Sequence, residues 1–247
     1  MKSKRYQRRF YRDTLNTRNL HILHYLEKET DLYILSDKAL NESFIAAQVR
    51  TLRSAIESYI RKEPGFAHAL KPIPVELRAP AVVRLMSRSA SCAGVGPMAA
   101  VAGAIAELLG RALIKKGCRE VIIENGGDIF LKLQVARRVG FYAGRGKFVN
   151  KLALFIRPED TPMGICTSSA TLGHSLSFGS ADSVTVLAKH ASIADAVATA
   201  TCNRVRTAKD IKAALNFCRS IRGIRGAVIV MKNKLATFGK IEFYRRG

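Results

Sequence analysis

Gly164–Asn203 reads GICTSSATLGHSLSFGSADSVTVLAKHASIADAVATATCN. A Thr-Ser-Ser cluster (Thr167, Ser168, Ser169) is followed by a lone histidine, His174, in a polar run. Then come a strand-like SVTVLA, Ser183–Ala188, and a helix from Ser192 that carries ADAVAT. In that helix Asp195 and Thr199 are one turn apart, so their side chains share a face. A carboxylate and a hydroxyl are hard oxygen donors, suited to Mg²⁺ or Ca²⁺ rather than zinc. Upstream, Glu124-Asn125-Gly126-Gly127-Asp128 joins two apolar runs and offers bare backbone with a further carboxylate. Together these pieces read as a small-ligand site for a metal and a phosphate, with His174 placed for acid/base work.

The elements around this stretch come in mixed order. Short strands are expected over His21–Tyr25 and Asp31–Leu35, and a helix over Asn41–Lys62, where Ile45, Val49, Leu52, Ile56 and Ile60 recur at helical spacing. Val75–Leu77 reads as extended, Ala81–Ser89 as helix, and Ala93–Pro97 as a Gly-rich turn. The helix Pro97–Lys116 has Pro at its first position and Gly117 just past its end. Glu120–Glu124 and Ile129–Leu133 form a hairpin around Asn-Gly-Gly. Strands follow at Gly140–Ala143, Leu152–Ile156, Gly164–Thr167 and Ser183–Ala188. Beyond the helices from Ser192 and Ala208 lie strands Gly226–Met231, Lys234–Thr237 and Ile241–Tyr244. Hairpins outnumber crossover units, so the fold class is α+β with a largely antiparallel sheet.

The chain reads as a single domain over 1–247, with a flexible basic segment at 1–13. A hydrophobic content of 48% makes it globular rather than disordered. The longest weakly polar stretch, Ala90–Ile114, is broken by Glu107 and Arg111, so no membrane span is expected. No apolar run follows the basic start, and the five cysteines are scattered without a CxxC pair. Reduced thiols and a cytoplasmic location are the reading. The formal charge of +22 is concentrated at the ends. It would gather anionic ligands, nucleotides included, yet no zinc-finger spacing, RNP motif or helix-turn-helix accompanies it, so nucleic-acid binding ranks third among the functions.

No GxSxG elbow, Walker loop, HExxH or Rossmann GxGxxG is present. Each candidate also has a plainer role: an aspartate early in a helix favours the dipole, threonine packs, and serine-rich loops are common.

The order of the pieces adds to this. An Ala/Gly-rich helix, then ENGGDI, TSS…H, SVTV and ADAVAT resembles the ApbE family of flavin transferases, which move FMN from FAD onto a threonine or serine of a partner protein with Mg²⁺. The resemblance implies a T-fold-related architecture of two interlocked lobes with flavin between them. It implies Asp195 and Thr199 as metal ligands, and Gly126, Gly127 and Asp128, beside Asn125, as the turn near the flavin. Thr167 and Ser168 match the family's TSG segment, whose glycine is replaced here by Ser169, a further hydroxyl for the ligand. Gly96, Met98 and Gly103 on the small-residue helix and Ser177 in GHSLSFG complete the ligand contacts, with His174 as acid/base.

Two departures stand out. The lysine and tyrosine of the family's AKGYAVD segment are Ala102 and Ala104 here, and the stretch between His174 and SVTV lacks Asp-Pro-x-Thr-Gly. GPMAAVAGAIAE, ENGGDI, TSS…GHSLSFG and ADAVAT together resemble the short, cytosolic, uncharacterised branch of this superfamily, for which an association with sulfur assimilation is suggested. Two activities follow from the resemblance. One is binding of an anionic, nucleotide-like ligand, flavin (FAD or FMN) first, with FMN transfer. The other is a non-catalytic accessory protein holding a ligand for a partner enzyme, with homo-oligomers open to either.

Overall fold

The computed structural model describes residues 12, 15, 17–143, 152–170 and 179–245. His174, Ser177 and most of the basic segment 1–13 lie outside them. The chain opens with a hairpin, β1 (His21–Glu27) and β2 (Thr30–Ser36), then α1 (Glu42–Lys62), α2 (Gly65–His68) and α3 (Ala81–Ala93). A single 3₁₀ turn, Pro97–Ala100, leads into α4 (Val101–Lys115). Strands β3 (Val121–Asn125), β4 (Asp128–Lys132), β5 (Arg137–Gly140), β6 (Leu152–Ile156), β7 (Met163–Ser168) and β8 (Ser183–Ala188) precede α5 (Ala191–Arg204). After α6 (Ile211–Ser220) come β9 (Ile224–Met231), β10 (Lys234–Gly239) and β11 (Phe243–Arg245).

Eight strands make one sheet in the order β1-β2-β3-β4-β7-β8-β9-β10, with every neighbouring pair antiparallel. Period-two alternation divides their side chains between two cores. Leu32, Ile34, Ile123, Phe130, Cys166 and Val186 face the helices. Leu35, Ile122, Ile129, Leu131, Ile165 and Leu187 face the other way, against Val139, Leu154 and Ile156 of a three-stranded sheet, β11-β6-β5. With both faces covered, the central strands read as continuous apolar runs.

Helix α5 is the innermost helix, buried along nearly its whole length. Its residues are small because backbone meets backbone there. A Cβ on Gly164 of β7 would lie 2.2 Å from Ala191 Cα, and one on Gly103 of α4 would lie 2.4 Å from the Ala191 carbonyl oxygen. Pro97–Lys115, one helical stretch among the described residues long and apolar enough to cross a membrane, here buries Ala104, Leu109 and Leu113 in the helix-side core.

Four expectations shift. The strand expected over Gly140–Ala143 runs instead over Arg137–Gly140, because Arg137 is buried against Glu120 (2.7 Å) and Val139 pairs with Leu154. Phe141 and Ala143 are buried beyond it. Val75–Leu77 forms no strand, and Leu77 is exposed. The last strand starts at Phe243 rather than Ile241, and the helix expected from Pro97 begins as a 3₁₀ turn.

Candidate functional site

Helices α4 and α5 run antiparallel and cap one another. The first turn of a helix leaves its N–H groups without partners inside the helix, and neither α4 nor α5 has a cap from its own N-cap side chain. Asp195 supplies the acceptor for α4: Gly103 N–H donates to Oδ2 at 2.9 Å, and Ala102 N–H also donates to the carboxylate. Glu107 of α4 supplies it for α5, accepting from Ser192 N–H at 3.3 Å and Ser192 Oγ at 3.2 Å. The same carboxylate meets His190 Nδ1 at 2.8 Å and Arg111 Nη2 at 2.8 Å. Burial alone would raise Glu107, but the hydrogen bonds from His190 and Arg111 outweigh it and leave Glu107 below the usual carboxylate range.

Below this helix pair lies the hairpin turn. Asn125 and Asp128 are paired, leaving Gly126 (φ 70°) and Gly127 (φ 105°) as the two turn residues. Both φ angles are positive, the requirement of a type I′ turn, which glycine meets without strain. Asn125 Nδ2 donates to the Ala102 carbonyl at 3.2 Å, tying the turn to the start of α4. Asp128 is opposite Cys166 in the sheet and projects toward α5. The Cys166 thiol sits 3.2 Å from the Ala191 carbonyl and also reaches Asp128. One place thus gathers the glycine turn, the end of β7 and the N-terminal turns of α4 and α5.

Its electrostatics are unbalanced. Asp128 and Asp195 are both buried, and among the described residues neither forms an ion pair with Lys, Arg or His. Burial pushes Asp195 up to about 7 against the hydrogen bonds from Gly103 and Ala102. Burial first, then the charge of Asp195, raises Asp128 well above its ordinary value; the Cys166 thiol and the Thr167 N–H oppose this. Cys166 is raised for the same reasons and stays a thiol. The pair therefore retains a proton near neutral pH or takes up a cation instead.

The sequence-derived candidates divide accordingly. Asn125, Gly126, Gly127, Asp128 and Asp195 come together, and Thr199 lies buried one turn beyond Asp195. Ser168 is on the same sheet face, two residues past the Cys166–Asp128 pairing and level with the glycine turn. Its buried Oγ has no hydrogen-bond partner. The Thr167 hydroxyl points to the opposite face and bonds Thr185 at 2.9 Å, while its N–H stays with the Asp128 carboxylate. Ser169 is buried just beyond the strand. Gly96 and Gly103 serve packing: a Cβ on Gly96 would meet the Ala69 carbonyl and one on Gly103 would meet α5. Met98 is half-buried in the 3₁₀ turn. Of the expected metal pair, Asp195 is engaged with α4, and the second carboxylate beside it is Asp128.

Sequence reading missed the brace beneath the turn. Glu124 points to the far face, where its Oε1 accepts from Gly127 N–H at 2.6 Å and its Oε2 from Arg12 Nε at 2.6 Å. Arg12 also reaches Asp31 at 3.1 Å. The sign available was the glutamate preceding the turn; its partner lay in a basic segment expected to be flexible.

Two solved structures with this architecture are flavin transferases by title. The protein is similar to apo Pseudomonas stutzeri flavinyl transferase ApbE over 90% of this chain and 95% of that one, with a TM-score of 0.60 and 14% identity. The flavin transferase ApbE of Vibrio cholerae matches 89% of this chain and 97% of its own, with a TM-score of 0.59 and 13% identity. These likenesses define an ApbE-like α+β fold. The family described as "AbpE bacteria" is matched over residues 12–237, and the chain belongs to it. Relatives named UPF0280 protein include one from Methanosarcina acetivorans, 36% identical over 88% of this chain and 86% of that protein. Another, from Methanocaldococcus jannaschii, is 45% identical over 76% of this chain and 78% of its own.

Proposed function

We propose that the protein binds a flavin nucleotide, FAD foremost, through a divalent cation held at Asp128 and Asp195. The observation that carries this is the buried carboxylate pair without a cationic side chain beside it among the described residues. Mg²⁺ is commonly held by one or two carboxylates, with substrate phosphates and water completing its shell. The donors here are of that kind. Asp195 has lone pairs left after accepting two N–H bonds, and Asp128, Thr199 and Ser168 add further hard oxygens. When bound, the ion would supply the positive charge that lets a buried acidic pair accept a pyrophosphate.

The chain's own residues do the positioning. Asn125 and Glu124 fix the glycine turn from its two sides, Gly126 and Gly127 let a flat ring approach the backbone, and the Ser168 hydroxyl is available to a phosphate. Titration of FAD in a calorimeter, with Mg²⁺ and with EDTA, tests the reading. Binding that needs Mg²⁺ and is lost in Asp195→Asn supports it; equal affinity in all four combinations overturns it. FMN transfer is the finer claim. Ala102 and Ala104 at the lysine and tyrosine positions, with the shortened stretch before SVTV, favour a protein that holds the ligand and transfers little of it. Mass spectrometry of a threonine acceptor peptide after incubation with FAD and Mg²⁺ decides between holder and transferase. All five cysteines are free thiols, in keeping with a cytoplasmic holder serving a partner enzyme.

A further inference from the structure

Strand β10 closes one side of the large sheet, and among the described residues nothing pairs with its outer edge. An open edge presents a row of unpaired N–H and C=O groups, a template for another strand. Beside it, α6 leaves a groove of about 780 Å³ that runs the length of β10. Its floor is apolar, with Leu215 and Ile211 from α6 facing Ala236 and Phe238 from β10, while Leu235 turns to the other face of the sheet. Its rim carries Lys212, Arg219 and Lys234, and no carboxylate lines it. Among the described residues none of these three cations has an acidic partner. Arg219 stands over the Phe238 ring at 5.5 Å. Asp210, the acid at the start of α6, is taken up by the N–H groups of Arg206 and Thr207.

Charge selects the occupant. A second copy joining edge to edge would bring further cations, its own Lys234 among them, to a rim that has no carboxylate, and edge lysines of this kind oppose self-association. A nucleic-acid strand would use the cations but not the backbone row or the apolar floor. An extended acidic segment uses all three, its backbone on β10 and its carboxylates toward α6. We propose that this groove binds an acidic, extended segment of a partner protein as a ninth strand of the sheet. The groove is formed by β10 and α6, whereas the Asp128–Asp195 cleft is formed by β4, β7, α4 and α5, so the proposal does not rest on the flavin reading.

The test uses the full chain and a fluorescein-labelled decapeptide of alternating Glu and Val, followed by anisotropy and by hydrogen exchange at the β10 amides. A Lys/Val decapeptide and a single-stranded oligonucleotide serve as competitors. Expected are binding of the acidic peptide, slowed exchange along Lys234–Gly239, and about tenfold or greater weakening when Lys212, Arg219 and Lys234 are all changed to Glu. The Lys/Val peptide should not compete. Absence of acidic-peptide binding, or binding without β10 protection, overturns the proposal. So does displacement by the oligonucleotide at equal or lower concentration, which would make this a nucleic-acid surface. β10 protection that grows with protein concentration alone would assign the edge to a second copy and also overturn it.

Discussion

Glu107 and Asp195 do the same job at the two adjoining N-terminal ends of one helix pair, yet their surroundings differ. Each is a buried carboxylate that caps the other helix's first turn. Glu107 also has His190 and Arg111 at 2.8 Å, and it sits below the usual carboxylate range. Asp195 has a second acid, Asp128, as its charged neighbour, and burial raises it to about 7. The protein can neutralise a buried carboxylate at this interface and does so at one end only. A buried charge without a partner is costly, and that cost is the ground for proposing a ligand at the end that lacks one.

The largest expected effect falls on the neutralised end. Glu107→Ala leaves Ser192 N–H without its cap and Arg111 and His190 without their acid, and it should cost about 3 kcal/mol. Asp195→Asn keeps an oxygen for Gly103 and removes a charge that Asp128 repels, so in metal-free protein it should change stability by about 1 kcal/mol or less. Urea unfolding of both variants in EDTA makes the comparison. Equal costs would mean that Asp195 is a structural cap and nothing more.

Mg²⁺ should act on one end alone. At about a hundred times its dissociation constant it should stabilise the wild type by about 2.7 kcal/mol, read as a rise in thermal midpoint. Glu107→Gln should keep that rise and Asp195→Asn should lose it. A rise that survives Asp195→Asn would place the ion elsewhere.

Acidity separates the ends by sign. Glu107 is depressed, so its contribution is present above its unfolded value and is lost as pH falls through its folded value. Asp195 is raised from 3.8 to about 7, so the folded state keeps a proton that the unfolded chain releases. Its contribution is present below the unfolded value and fades as pH rises through about 7. Asp128, raised well above its ordinary value by burial and then by the charge of Asp195, adds its own share to this loss, so in EDTA Asp128→Asn should make stability fall less steeply as pH rises. Unfolding free energies measured between the two values check it, and identical pH profiles would remove Asp128 from the pair.

The same division explains what could be read from the residues. Period-two runs such as Ile122 and Ile123 and the Asn-Gly-Gly turn write the central sheet into local sequence. Asp195 and Thr199 stand out as candidates because helix spacing is local too, and Asp128 because it ends the glycine turn. Asp195 and Gly103 are 92 residues apart in sequence, and Glu107 and Ser192 are 85 apart, so no local pattern joins them. Their local trace is small residues, which equally signal close packing, and that is where Gly96 and Gly103 belong. That the Thr167 hydroxyl turns away from Ser168 was not legible, because a cluster of hydroxyls looks uniform in sequence, whereas a strand sends neighbours to opposite faces. Arg12 was hidden by its basic company.

The smallest effect gives the sharpest test. Thr199 is on the face of α5 that carries Asp195, and no hydrogen bond among the described residues uses its hydroxyl. Thr199→Val exchanges the hydroxyl for a methyl group of similar size and keeps the branching at Cβ. If Thr199 only packs, the buried methyl should leave stability within about 0.5 kcal/mol, and Mg²⁺ affinity should not change. If its oxygen joins Asp195 at the cation, stability in EDTA should again barely move, but the Mg²⁺ midpoint should rise by about tenfold, the loss of one neutral oxygen ligand at roughly 1.4 kcal/mol. The second outcome is expected, because a threonine in the most buried helix of the molecule keeps a hydroxyl that packing alone does not need. Titration of Mg²⁺ against the thermal midpoint reads both quantities from one series, and an unchanged midpoint would return Thr199 to packing while leaving the Asp128–Asp195 pair in place.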